Sequence, residues 1–175
     1  MHSYIDLIDI FNRLFKKSFN TILVAGENEP IYLPTTKDFQ FNQIVFANFF
    51  FSSALHEISH WCIAGNERRK FVDYGYWYVE ESRSQLEQRH FEQVEVKPQA
   101  LEWIFSECAG YEFKVSCDNF NPDVIIDRVS FKRNILHQVK KYLDNGINSR
   151  AFMFANDLCK FYGKQFPVWA DFNKI

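Results

Sequence analysis

The sequence lacks a charge imbalance, an export signal and any closely spaced pair of cysteines. Its 20 basic and 22 acidic side chains leave a formal net charge of −2, so a nucleic-acid partner is not expected. Asp6 and Asp9 interrupt the only apolar stretch near the start, which argues against a secretory leader and predicts a cytoplasmic protein. The four cysteines have no C-x-x-C spacing, and we therefore expect reduced thiols in the protein core.

The sequence also lacks a convincing membrane span. Residues 44–64 are apolar, but His56, Glu57 and His60 lie near their middle, where charged and imidazole groups would be costly in lipid. A buried helix is therefore predicted and no membrane association. A chain of 175 residues, 47% apolar and 24% charged, is typical of one globular domain, which we assign to residues 1–175.

Hydrophobic periodicity predicts an α+β protein that is mostly helical with a few short strands. Helices are predicted at about 4–17, at 98–110 with Pro98 in the first turn, from Val129 to just before Gly146, and at 150–162, together with a long apolar helix around the histidines. Short strands are predicted at T-I-L-V-A-G and I-Y-L, joined as a hairpin, and in the aromatic run that starts near Phe71. Residues 81–94 are polar and are interpreted as a loop with a helical turn.

The apolar helix carries the motif H-E-I-S-H at residues 56–60. Residues four apart lie on one face of a helix, so His56 and His60 can bind the same ion. Gly65 stands where a left-handed cap would end this helix. The competing interpretation is a pair of core histidines, which is less favourable because buried imidazoles need polar partners.

A metal site needs a third ligand, and four glutamates follow downstream. Glu95 is favoured because it precedes the helix predicted at 98–110, where a carboxylate meets the positive end of the helix dipole. Glu92 is the alternative, three residues earlier. Glu102 and Glu107 are expected to be exposed helix carboxylates.

Two histidines and one carboxylate serve two chemistries that spacing alone does not separate. With Zn²⁺ and Glu57 as general base, they form a metallopeptidase site. With Fe(II), they leave positions open for O₂ and a substrate. A third hypothesis is a non-catalytic binding module whose structural metal is closed by Cys62 or His90.

Several blocks of the chain together resemble the bacterial elongation factor P hydroxylase family over residues 4–145. The blocks are E-P-I-Y-L-P, H-E-I-S-H-W-C-I-A-G, V-D-Y-G-Y-W-Y, V-E-V-K-P-Q-A-L-E-W and V-S-C-D-N, in that order. The resemblance implies a cytoplasmic enzyme that hydroxylates the β-lysylated lysine of elongation factor P. It also implies a metal bound by an H-x-x-x-H pair and a downstream glutamate, which we carry over to His56, His60 and Glu95. For this ligand set in a hydroxylase we expect Fe(II), with O₂ as co-substrate.

The residues constrain the kind of hydroxylase that this resemblance implies. The chain has no H-x-D motif and too few strands for a double-sheet barrel, so 2-oxoglutarate dependence is not supported. We expect instead a zincin-like helical H-E-x-x-H site used for oxygen chemistry. Glu57 is assigned a catalytic role, either orienting a water molecule or accepting the ammonium group of the substrate; a structural hydrogen bond is the alternative.

A long amine substrate calls for acids and aromatic faces in its pocket. Asp73, Tyr76 and Trp77 supply both and are predicted to line it. An ordinary aromatic strand packed on the core is the alternative for Tyr74 and Tyr78.

Overall fold

The computed structural model describes residues 2–73 and 82–172. Within these ranges the chain is mostly helical with one small sheet, which agrees with the α+β prediction. The elements, in chain order, are α1 (Tyr4–Phe15), β1 (Thr21–Ala25), β2 (Ile31–Leu33), β3 (Asn42–Phe46), α2 (Phe51–Ile63), a 3₁₀ turn (Arg68–Lys70), α3 (Gln85–Ala109), α4 (Arg128–Asn145), α5 (Ser149–Tyr162) and α6 (Trp169–Phe172).

The three strands form a sheet in the order β1-β3-β2. β1 pairs in parallel with β3, and β2 pairs antiparallel with the other edge of β3. The predicted hairpin between the first two strands is therefore wrong, because β3 lies between them. Sequence reasoning assigned Ile44 to Phe46 to the apolar helix, since a short apolar run does not reveal its period. In the structure Ile44 and Phe46 are buried and Val45 between them is not, which is the alternation of a strand.

α2 carries the two histidines and ends differently from the prediction. Ala64 has extended backbone angles, and Gly65 is not among the glycines with positive φ. The last carbonyls of α2 are instead satisfied from α5: Arg150 Nη2 donates to the oxygens of Cys62 and Ala64, at 3.0 and 2.6 Å. A cation at this end also suits the helix dipole.

α3 begins 13 residues earlier than the predicted start at Pro98, so this boundary is wrong. Its first turn has a capping box, in which Ser84 accepts from the amide of Glu87 and the Glu87 side chain accepts from the amide of Ser84. Pro98 lies inside the helix and is buried. The S-x-x-E signal for the true start was present in the sequence. The start was instead predicted at Pro98, because proline is common in the first turn of a helix and rare in its interior.

The remaining helices close around α3, which contacts α2, α4 and α5. α4 and α5 match the predicted helices to within two residues, and Gly163 ends α5 with φ of 65°. The core is rich in phenylalanine, and the fully buried rings are those of Phe11, Phe15, Phe46, Phe105, Phe131, Phe154 and Phe172. All four cysteines are free and buried, as predicted. None of the described helices is both long and apolar enough to cross a membrane.

Candidate metal centre

α2 and α3 pack side by side and bring His56, His60 and Glu95 together. The two histidines are one turn apart on α2, and their Nε2 atoms are 3.1 Å from each other. Glu95 extends from α3, with Oε1 3.2 Å from His60 Nε2 and Oε2 3.6 Å from His56 Nε2. One ligand atom from each residue lies within 4.8 Å of the other two. Two imidazoles and one carboxylate at this separation fit a single divalent transition metal.

Burial and mutual attraction shift the pKa values of the residues in this group. Burial of the Glu95 carboxyl opposes its ionisation, but the two histidines outweigh that effect and lower the pKa of Glu95 to about 2. Burial of the His56 ring opposes its charge, but the surrounding carboxylates, Glu95 first, raise the pKa of His56 to about 10. Without a metal, the site therefore favours a protonated imidazole next to an ionised carboxylate.

Glu102 is a functional candidate that sequence reasoning missed. It was expected to be exposed, but only 7% of its surface is accessible and its Oε2 lies 2.8 Å from His56 Nδ1. A proton on Nδ1 is thus donated to the carboxylate, leaving Nε2 directed at His60 and Glu95. Burial raises the pKa of Glu102. The available signal was spacing, because Gln99 lies four residues after Glu95 and Glu102 three residues after Gln99, which places all three on one face of α3.

Gln99 holds Glu95, the candidate third ligand, from the same face of α3. Its Nε2 donates to Glu95 Oε2 at 3.3 Å and to the carbonyl of Ser116 at 2.6 Å. Its Oε1 accepts from the amide of Ser116 at 3.1 Å. Gln99 is completely buried, so its amide is fixed in one orientation and fixes the carboxylate with it.

Glu92, the alternative ligand, lies outside this group. Its Oε1 accepts a hydrogen bond from Gln88 Nε2 at 2.9 Å, one turn earlier on α3. Glu95 was favoured as the residue before a helix, but the structure places it within α3. Its closeness to the histidines therefore comes from the packing of α3 on α2. Among the described residues, neither Cys62 nor His90 belongs to the His56, His60 and Glu95 group.

His56, His60 and Glu95, which we call the candidate metal group, open into a cavity of about 490 Å³. Its other lining residues include Pro30, Ser52, Ser53, Glu57, Phe91, Gln99, Glu102, Tyr111, Glu112, Lys114 and Ser116. Glu57 is half-buried, and burial raises its pKa. No hydrogen bond or ion pair joins its carboxylate to another residue of the described ranges, in contrast with Glu92, Glu95 and Glu102.

The predicted substrate-binding residues lie partly elsewhere. Asp73 lines a second, smaller cavity together with Glu57 and His60. There it forms an ion pair with Arg68, and its backbone pairs with that of Tyr32. Tyr76 and Trp77 lie outside the described residues, as do Tyr74, Tyr78 and all of the predicted aromatic strand beyond Asp73.

The fold and the site define a class: a small, mostly helical protein with a candidate two-histidine, one-carboxylate metal centre in an open cavity. A model of the family described as elongation factor P hydroxylase matches residues 10–172. The chain is also 48% identical over 164 residues to the elongation factor P lysine hydroxylase of Haemophilus influenzae, covering 94% of this chain and 92% of that relative. The chain therefore belongs to the elongation factor P hydroxylase family, as the sequence blocks suggested.

Proposed function

We propose that this chain hydroxylates a lysine side chain of elongation factor P with a metal ion held by His56, His60 and Glu95. The observation that carries the proposal is family membership over nearly the whole chain, together with three donor atoms that can share one ion. We further propose Fe(II) as the metal, O₂ as co-substrate, and as substrate the lysine already extended by a β-lysyl group. Because that substrate is a translation factor, the activity is proposed to be cytoplasmic.

Fe(II) held by two imidazoles and one carboxylate supplies oxygen activation with positions left for a substrate. The protein's own part is to keep the three donor atoms convergent. Glu102 keeps Nε2 of His56 directed into the site by accepting from Nδ1. Gln99 restrains Glu95 in the same way through Oε2. Both partners are buried, which limits the alternative orientations of the ligands.

Glu57 is proposed to receive the ammonium group of the substrate. It faces the cavity next to the candidate metal group and has no hydrogen-bond or ion-pair partner among the described residues. An ammonium group at this position would offset the effect of burial on the carboxylate and favour its ionised form. Phe91 and Tyr111 add aromatic faces to the same cavity. Asp73, Tyr76 and Trp77 remain proposed substrate-lining residues.

A zinc peptidase is the second candidate, favoured by the glutamate between the two histidines. In that chemistry Glu57 would be the general base. The two functions differ in their response to Glu57→Gln. A peptidase would lose cleavage completely, whereas a hydroxylase that uses Glu57 to bind an ammonium group would mainly show a raised KM.

The deciding experiment is the intact mass of β-lysylated elongation factor P after incubation with this protein, Fe(II), a reductant and air. We expect a gain of one oxygen atom, with no gain for His56→Ala. Unchanged mass with a folded, metal-loaded protein would overturn the proposal. A parallel reaction with and without 2-oxoglutarate tests its separate role, and we expect turnover without it.

A further inference from the structure

Residues 111–118, which we call the rim segment, have the side-chain pattern of a β-strand without belonging to the sheet. Burial alternates along it: Glu112, Lys114, Ser116 and Asp118 are exposed, whereas the residues between them are half-buried or buried. Phe113 stacks on Trp103 of α3 with ring centroids 4.9 Å apart, and Cys117 is completely buried. A period of two indicates an extended chain laid along α3.

The rim segment is anchored at its ends, and between them its backbone has no hydrogen-bond partner within residues 2–73 and 82–172. The amide of Tyr111 donates to the carbonyl of Ser106, and Gln99 binds both backbone groups of Ser116. Gln88 donates to the carbonyl of Cys117. Between these anchors, no residue of the described ranges makes a hydrogen bond with the backbone of residues 112–115. Such an edge is a ready template for another extended chain.

The rim segment also forms one wall of the cavity that contains the candidate metal group. Tyr111, Glu112, Lys114 and Ser116 all line that cavity. A lysine side chain of a protein can reach His56, His60 and Glu95 only if its own backbone crosses the mouth of the cavity. Glu112 and Lys114 carry opposite charges 3.7 Å apart, so they give this wall no net charge to select a partner. The backbone is its distinctive recognition feature.

We propose that residues 112–115 bind the protein substrate by strand addition, pairing with the extended stretch that flanks its modified lysine. The inference rests on the proposed function, because it takes a polypeptide as the substrate. Alternate side chains of an added strand point to opposite faces, so the lysine enters the cavity while its two neighbours point away. Main-chain pairing supplies affinity, and the cavity supplies selection for the long amine.

Hydrogen exchange followed by mass spectrometry tests the pairing directly. The Fe(II)-loaded protein is kept without oxygen, so that β-lysylated elongation factor P binds and is not turned over. An added strand pairs with alternate residues, so it would cover the amides of Phe113 and Val115, which lie on the edge opposite to the one that Gln99 binds at Ser116. We expect these two amides to exchange quickly in the free protein and at least about tenfold more slowly in the complex. Residues 35–40, an exposed loop outside the cavity lining, serve as the internal reference. Unchanged exchange at both amides in a saturated complex would overturn the proposal.

A proline substitution tests the same point by kinetics. Both backbone groups of Ser116 face Gln99, so those of its neighbour Val115 face the opposite edge, which no residue of the described part of the chain pairs with. Val115→Pro removes that amide hydrogen, whereas Val115→Ala shortens the side chain and keeps it. We expect the KM of Val115→Pro for elongation factor P to exceed that of Val115→Ala about tenfold, with equal kcat and equal metal affinity. Equal KM values would count against strand addition.

The experiments distinguish failure of the strand-addition proposal from failure of the proposed hydroxylase function. Hydroxylation without protection of the amides of Phe113 and Val115 would overturn strand addition and leave the proposed function intact. Protection of these amides without any gain of oxygen under air would support strand addition and overturn the hydroxylase assignment.

Discussion

Glu102 lies outside the candidate metal group but is expected to affect its metal affinity by orienting the His56 ring. It is buried and lies 2.8 Å from His56 Nδ1, so it fixes which nitrogen of the ring faces His60 and Glu95. Glu102→Ala should weaken metal binding about 10- to 100-fold, as is typical for such partners of metal-binding histidines. Glu102→Gln should cost less, because the amide oxygen can still accept from Nδ1.

The measurement is metal affinity by competition with a coloured chelator. Glu107→Gln is the matched control, since Glu107 lies on the same helix and does not line the cavity. Affinity that is identical in Glu102→Ala and the wild type would remove Glu102 from the site.

His56 should also make the proposed metal binding depend on pH. The carboxylates around it overcome the effect of burial and raise the pKa of His56 to about 10, so at neutral pH the metal-free ring holds a proton that the metal must displace. The pKa of Glu95 is about 2, so that carboxylate is already ionised. The apparent affinity should therefore rise about tenfold per pH unit between about pH 7 and 9. Chelator competition across this range checks the slope, and a flat profile would contradict it.

At the scale of elements, two glycines can be compared: Gly110 adopts a left-handed conformation at a helix end, whereas Gly65 was predicted to do so and does not. Gly110 ends α3 with φ of 66°, and an added Cβ would meet Lys164 Cε at 2.5 Å. Gly110→Ala should therefore lower the free energy of unfolding by about 1 to 2 kcal/mol. Gly65 has no positive φ, and apart from its chain neighbours no described residue has an atom within 4 Å of an added Cβ. Gly65→Ala should be neutral or stabilise by up to about 1 kcal/mol. Urea denaturation of the two variants checks the contrast, which equal losses would refute.

Some elements could be predicted from their hydrophobic periodicity, and others could not. α1, α4 and α5 each bury one face of a long periodic segment, so their patterns were clear. β3 is only five residues long and continues into the apolar start of α2, which left its period ambiguous. The first half of α3 was hidden for a different reason: it is polar, because it faces Arg83, Asn119 and the cavity rather than a continuous apolar core.

At the scale of the whole molecule, the candidate site joins residues far apart in sequence. The histidine pair could be recognised from local spacing alone, since both residues lie on one helix. The proximity of Glu95, the burial of Glu102 and the anchoring by Gln99 depend on how α3 packs against α2 and the rim segment, and no local pattern specifies that packing. Sequence reasoning therefore named Glu95 with an incorrect argument and missed Glu102.

Metal loading should stabilise the whole fold, because the ligands come from two helices that unfolding separates. With the ion at about 100 times its dissociation constant, the gain is about 2.7 kcal/mol, or a rise in Tm of about 5 to 10 °C for a chain of this size. Thermal denaturation with and without Fe(II), in the absence of oxygen, checks this. His60→Ala should show no rise. An equal rise in that variant would locate the stabilising ion elsewhere.

The buried cysteines have a practical consequence for a protein proposed to handle oxygen. Cys62, Cys108, Cys117 and Cys159 are at most 5% exposed, and burial raises the pKa of each thiol, that of Cys62 to about 12. Thiolate is the form that oxidants and alkylating reagents attack, and the native fold withholds it. The rate at which a thiol reagent labels the protein therefore reports how often the core opens transiently. Labelling should be slowest under conditions in which the fold is most stable.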